Sequence, residues 1–430
     1  MSFRRWSSVL EHQQLLNMML YASMLQDELD NRDSSANEES SSSSSVTTSS
    51  GISWDSSSKK DESRDINEQE LEDELETVIE AIAEVCNDIE EGIEDSTIEW
   101  RGKRVIVEDL SEDDAIFHLF RFRKKHLQQD MVDKLWPRMQ PYLNTKSKKT
   151  GIIFGDGRYC YPYETLFLMV LFRFSGPHRI QKEMEGYFGI RRSKISSGIY
   201  TMVNALHSLV LKYLDNPSIF HGRMPYYAER IYAKCGFAET TWGFIDGTLR
   251  KTCRPSLFQK LLYSGRKRCH GIKFQSVFTP DGLFVCMYGP ITGNRHNLFL
   301  MSKSQLLNKL QAFTPNGAVI YSLYGDPAYP QSAYVYGGYR NPPPGSAQAA
   351  WNTQMLKVRE VVEWGFANIV SNWSFLDFRA AMIIFKSPVA KFFIVVAFLV
   401  NMRTCFYGNQ TMKYFECTTM TIDEYLSLID

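Results

Sequence analysis

Two short apolar runs that each end in an aspartate, followed by a helical pattern carrying glutamates, constrain this chain more than any other feature. Trp242-Gly243-Phe244-Ile245 delivers Asp246 into a Gly-Thr turn, the pattern of a buried strand ending in an acid. Ala318 to Tyr324 repeats the device and ends in Gly325-Asp326-Pro327. Arg359 to Val370 is apolar at helical spacing and carries Glu360 and Glu363. The separations are 80 residues from Asp246 to Asp326 and 37 from Asp326 to Glu363. Taken singly, each acid reads as a turn or a solvated helix face. As an ordered set they match the needs of a divalent-metal phosphodiester enzyme, in which cations ~4 Å apart are clamped by shared carboxylates. Oxygen-only ligands suit Mg²⁺ or Mn²⁺ rather than zinc.

The text around the acids extends the pattern. It runs GFIDGT, CRP, YSGRKRCHGIKFQSVFTPDGLF, GPITGNRHN, Ser304 and Leu306, YGDPAYP, RxxVEWGF, WSFLDF and VAFLVNMRTCFYGNQ. Residues from about Phe244 to Tyr425 thereby resemble the DDE endonuclease domain of PIF/Harbinger transposases and the host nucleases derived from them. The resemblance implies an RNase H-like fold that cuts and joins DNA with a metal-bound Asp-Asp-Glu triad, falling here on Asp246, Asp326 and Glu363. The RxxVE pattern selects Glu363 over Glu360 and aligns Arg359 with the family's arginine. Where the family usually has His-Asp, this chain has His296-Asn297, which keeps the size and loses the charge.

The chain has 430 residues, 44% of them hydrophobic and 13% aromatic, enough to bury a large core. Its net charge of −1 conceals a division. Residues 1–100 hold 25 acidic against 6 basic residues, a net of −19; the rest holds 24 against 42, a net of +18. A basic body of that size suits a polyanionic partner. The eight cysteines form no CxxC pair and no zinc spacing, Cys253, Cys269 and His270 being the one loose cluster; a reducing compartment is expected. No secretory pattern opens the chain, and the longest apolar run, Phe392 to Met402, is too short for a bilayer and fits a buried helix.

The expected organisation is α/β: an RNase H-like domain over 241–410, a mixed sheet with flanking helices, preceded by a mainly helical domain with a helix-turn-helix-like segment over 101–240. Residues 1–65 read as a disordered Ser-rich, acidic arm, its first thirty forming at most a marginal amphipathic helix. Residues 66–100 read as an acidic amphipathic helix with a seam of Leu71, Leu75, Val78, Ile82, Val85 and Ile89. Residues 411–430 are a C-terminal tail. Within 101–240, His178 to Phe188, the turn Gly189-Ile190 and Ser193 to Tyr213 give helix, turn and helix, with Arg191, Arg192 and Lys194 at the start of the second helix. After the first acid comes a basic connection with Arg250, Lys251, Arg266, Lys267 and Arg268, placed to grip phosphates. Beyond the second acid, Tyr329, Tyr334, Tyr336 and Tyr339 either stack on unpaired bases or pack on their own core.

The sequence thus points to a metal-dependent DNA endonuclease/transposase using Mg²⁺ or Mn²⁺. The alternative is a domesticated DNA-binding host protein, catalytically weak or inactive. Expected partners are DNA, a Myb/SANT-like DNA-binding protein implied by the resemblance, and further copies of the chain, in the nucleus as well as the cytoplasm and with no membrane. The acidic seam either shields the basic body or packs elsewhere on it. Deleting residues 1–100 raises non-specific DNA affinity in the first case and leaves it unchanged in the second, as a filter-binding titration at fixed salt would read.

Overall fold

The computed structural model describes residues 107, 113–143, 151–154, 159–177, 181–312, 314, 319–329, 331–384 and 386–429. The N-terminal amphipathic stretch, the Ser-rich arm and the acidic heptad seam lie outside the described residues.

Five strands carry the site. β1 (Thr241–Lys251) buries its first five residues, as its run of Trp242, Phe244 and Ile245 demands. β2 (Cys269–Phe278) pairs antiparallel with β1, and β3 (Phe284–Thr292) antiparallel with β2. β4 (Ser322–Gly325) and β5 (Val335–Gly337) continue on the other side of β1, both parallel. The sheet order is therefore β3-β2-β1-β4-β5, with a two-residue strand, Tyr263–Ser264, added at the start of β2. β5 lies among the tyrosines that follow the second acid; it is three residues long, too short for alternation to reveal it in the sequence.

Helices cover this sheet. α1 (Tyr163–Ser175), α2 (Gln181–Phe188), α3 (Arg192–Leu214) and α4 (Met224–Cys235) precede it. α2 and α3 flank Gly189, whose φ of 62° makes the tight turn that glycine permits, so helix, turn and helix stand where the sequence puts them. α3 packs along the later core helix and against β3, and α4 packs on β1. One apolar cluster runs through the helices and the sheet alike. Upstream, the first described helix breaks at Arg121, which has φ of 66°, and helix resumes over Lys124–His126 before a π-helical segment, Leu127–Lys134.

The crossover after β3 is two helices, α5 (Asn297–Ser304) and α6 (Leu306–Ala312), where one is expected. Gln305 takes φ of 49° between them, and the Ser304 hydroxyl accepts from the Leu306 N–H at 3.3 Å. The stretch bearing Arg359 and Glu363 is likewise split, into α7 (Ala347–Arg359) and α8 (Val361–Asn372). α9 (Val389–Tyr407) has the length and hydropathy of a bilayer span, but 14 of its 19 residues are buried, so it is a core helix.

Asn401 of α9 docks this helix on the sheet. Its Oδ1 accepts from the Phe284 N–H at 2.8 Å, and its Nδ2 donates to the Phe284 carbonyl at 2.7 Å and to the Tyr425 hydroxyl at 3.0 Å. A fully buried amide thereby completes the backbone bonding at the start of β3. Asn401→Ala leaves two backbone groups and a phenol without partners, and should cost about 2–4 kcal/mol, measured by denaturant unfolding with an unchanged m-value.

Candidate active site

Strand register brings the acids together. Phe244 stands beside Tyr324 in the parallel pair of β1 and β4. Two residues further along each strand, Asp246 and Asp326 reach the same level on the same alternation. Asp246 has a side chain 15% exposed, and the Gly247 N–H donates to its Oδ1 at 2.8 Å. Asp326 lies just past β4, where the Ala328 N–H donates to its Oδ1 at 3.0 Å. Glu363 sits in the first turn of α8 with its side chain 64% exposed, and Glu360 is the exposed joint between α7 and α8.

Arg359, the last residue of α7, links two of the three acids. Its Nη1 is 3.4 Å from Asp246 Oδ2 and its Nη2 is 3.9 Å from Glu363 Oε1. Burial pushes the Asp246 carboxyl above the usual carboxylate range; the Gly247 amide and Arg359 oppose the rise, while Asp326 and Glu363 add to it. Both of the other acids therefore act on Asp246 through space. Among the described residues no three His, Cys, Asp or Glu side chains stand close enough to hold a single ion. The donors are nonetheless all oxygen, as a hard divalent cation requires. The burial and like charge that raise Asp246 are the penalties such a cation would relieve.

Two neighbours close in on the acids through glycines. A Cβ at Gly247 would sit 2.7 Å from Asn297 Oδ1, so the Asn297 amide lies against the backbone next to Asp246. A Cβ at Gly325 would sit 2.6 Å from the Tyr329 ring, which covers the backbone next to Asp326. Tyr329 is 2% exposed and its hydroxyl has no hydrogen-bond partner. Burial first, then Asp246 and Asp326, hold that phenol far above its ordinary value. Tyr329 is thus an interior wall of the site and has no free face for a nucleobase. Its position three residues after Asp326, in a turn closed by its N–H on the Asp326 carbonyl at 3.1 Å, is the signal that could have placed it. Tyr336 packs with Tyr324 and Trp351; Tyr339, 48% exposed, also meets Trp351.

The basic residues divide. Lys251, Arg266, Lys267 and Arg268 are exposed, the last three in the turn leading into β2. Arg191 and Arg192 are exposed at the start of α3, Arg192 pairing with Glu185 at 3.2 Å, and Lys194 is half-buried. Arg250 departs from the expected phosphate-gripping loop. It belongs to β1, its guanidinium lies 4.8 Å over the Phe393 ring, its Nε is buried without a partner, and burial lowers its pKa to about 10. Strand alternation turns Arg250 inward while Lys251 faces out. Cys253, Cys269 and His270 form no metal group; the imidazole packs edge-on against Tyr263.

Residues 245–401 match a family model described as DDE superfamily endonuclease. The match holds Asp246, Asp326 and Glu363 and supports a transposase-like nuclease domain in general. Domains of this kind generally use divalent metals. No curated protein and no solved structure matches the chain.

The raised carboxyl of Asp246 has a consequence for stability. A group whose pKa is raised by folding contributes stability in full below its unfolded value and loses it as pH rises through the folded value. Asp246→Asn removes the penalty of the ionised form, so thermal melts should show a stabilised variant at neutral pH. That gain should disappear below about pH 4, where aspartate is protonated in either state.

Proposed function

We propose that this protein is a metal-dependent DNA endonuclease/transposase of the PIF/Harbinger type, with Asp246, Asp326 and Glu363 as its metal-holding, catalytic acids. The observation that carries the reading is Arg359, which reaches Asp246 on the sheet and Glu363 on α8 together, with Asp326 one residue past the neighbouring strand. Support for an RNase H-like domain comes from the order β3-β2-β1-β4-β5, three antiparallel strands followed by two parallel ones.

Asp246 and Asp326 are each pinned through one oxygen by a backbone amide, which fixes the carboxylates before any ligand arrives. Asp246 and Asp326 would hold one Mg²⁺ or Mn²⁺ between them, and Glu363 would complete the second position. When bound, the cations supply Lewis acidity to an attacking water or 3′-hydroxyl and offset charge at phosphorus. Glu363, the exposed acid, is the one open to that nucleophile, and the buried Tyr329 excludes water from the floor between the aspartates. Lys251 at the end of β1 and the Arg266–Arg268 turn extend a positive surface outward for the phosphate backbone. Nuclear action, a Myb/SANT-like partner and self-association belong to the same reading.

One observation favours the second reading, a transposase-derived host protein that binds DNA without cutting it. The residue pressed against Gly247 is a neutral asparagine, so the site has one acid fewer than the resembled family usually provides.

Plasmid nicking with Mg²⁺ or Mn²⁺ separates the two. The wild type should nick, and Asp246→Ala and Glu363→Ala should each lose at least about 100-fold, as when one member of a charge-stabilising set is removed. DNA binding without nicking in every sample would establish the non-catalytic reading, and Asn297→Asp would then test whether the missing charge is the cause.

A further inference from the structure

The charge balance at the acids is uneven. Among the described residues, Arg359 is the one cation paired with Asp246 or Glu363, and it pairs with both. Among the described residues no basic side chain forms an ion pair with Asp326, whose Oδ1 accepts from the Ala328 N–H. Arg359 is 15% exposed, so its charge is screened little by water. A cation of the protein's own thus stands between Asp246 and Glu363, and Asp326 is left with its backbone amide.

We propose that Arg359 is a displaceable stand-in for the second divalent cation, occupying the Asp246–Glu363 position until metal binding drives it off. This rests on the reading of these acids as metal ligands. Three ionised acids carry −3, and Arg359 brings the set to −2, which one divalent ion neutralises. A second ion beside an undisplaced Arg359 would place like charges together in a half-buried site, so the second ion binds only as Arg359 leaves. The backbone allows that exchange. Arg359 ends α7, Glu363 lies in the first turn of α8, and the two helices meet at the exposed Glu360 rather than continuing as one rod. The arrangement makes the first cation bind tightly and the second weakly. Two-metal assembly is thereby tied to an event that frees the guanidinium, such as the arrival of a phosphate for it to grip.

The test is Mn²⁺ binding to the full chain, followed by the electron paramagnetic resonance signal of free Mn²⁺, without DNA. The wild type should show a tighter and a weaker site. Arg359→Gln should tighten the weaker one about three- to tenfold, the worth of one half-buried charge pair, and leave the tighter one little changed. Arg359→Lys, which keeps the charge, should remain near the wild type; a purely structural role would make the two variants alike. A weaker site unchanged or loosened in Arg359→Gln overturns the proposal while leaving the metal reading in place. A wild type that binds no Mn²⁺ overturns the metal reading and this inference with it. Should Arg359→Gln not fold, the wild type alone decides. The Arg359 Nε–H resonance, assigned with Arg359→Lys, should move during the weaker step of a Mg²⁺ titration, and a resonance unmoved throughout overturns the exchange.

Discussion

Electrostatic crowding at the level of Asp246 and Asp326 is the constraint from which the rest of the site follows. Parallel pairing of β1 and β4 carries these carboxylates to one level, Asp246 within β1 and Asp326 one residue past the end of β4. Each is tethered by one amide, each sits next to a glycine, and each glycine admits a covering side chain, Asn297 or Tyr329. A larger residue at Gly247 or Gly325 would collide with that cover. The fold thus holds like charges near one another and compensates them with one guanidinium and, in the reading offered above, with metal.

A second buried acid shows what compensation by the protein alone looks like. Asp281, in the turn between β2 and β3, is fully buried, where a Pro-Asp-Gly turn would ordinarily face water. It accepts from the Tyr227 and Thr279 hydroxyls at 2.7 Å each, with Arg223 at 3.7 Å. That carboxylate is satisfied from several directions, and it ties α4 to the sheet. Asp246, with one amide and one long ion pair, is left with bonding capacity to spare. What separates the two buried acids is this unmet demand rather than burial.

Much of this was legible because strands and acids are local signals. The apolar runs before Asp246 and Asp326, Gly189 between two helices and the buried character of α9 are all written in composition and period, but the Gly-Thr turn expected after Asp246 is strand, because β2 pairs with β1 as far as Lys251. What stayed hidden depends on contacts between distant residues. Nothing local distinguishes Arg250, inward over Phe393, from Lys251, outward, until the pairing face of β1 is known. Tyr329 reads as a loop aromatic until Gly325 is seen to receive its ring. The breaks at Gln305 and Glu360 fall at residues with good helix propensity, so tertiary packing overrides the local preference there.

The Tyr213 hydroxyl of α3 donates to the Leu426 carbonyl at 2.9 Å, and the Tyr213 ring stacks on Tyr425, itself bonded to Asn401. The partners lie 213 residues apart, with the whole sheet between them. Closing so long a loop is entropically expensive before any contact rewards it. A ribosome emitting this chain therefore exposes α3 long before the residues that seal it emerge. The acids at β1 and β4 also precede that seal in the chain, so the candidate site gains this support only once Tyr425 and Leu426 have been made.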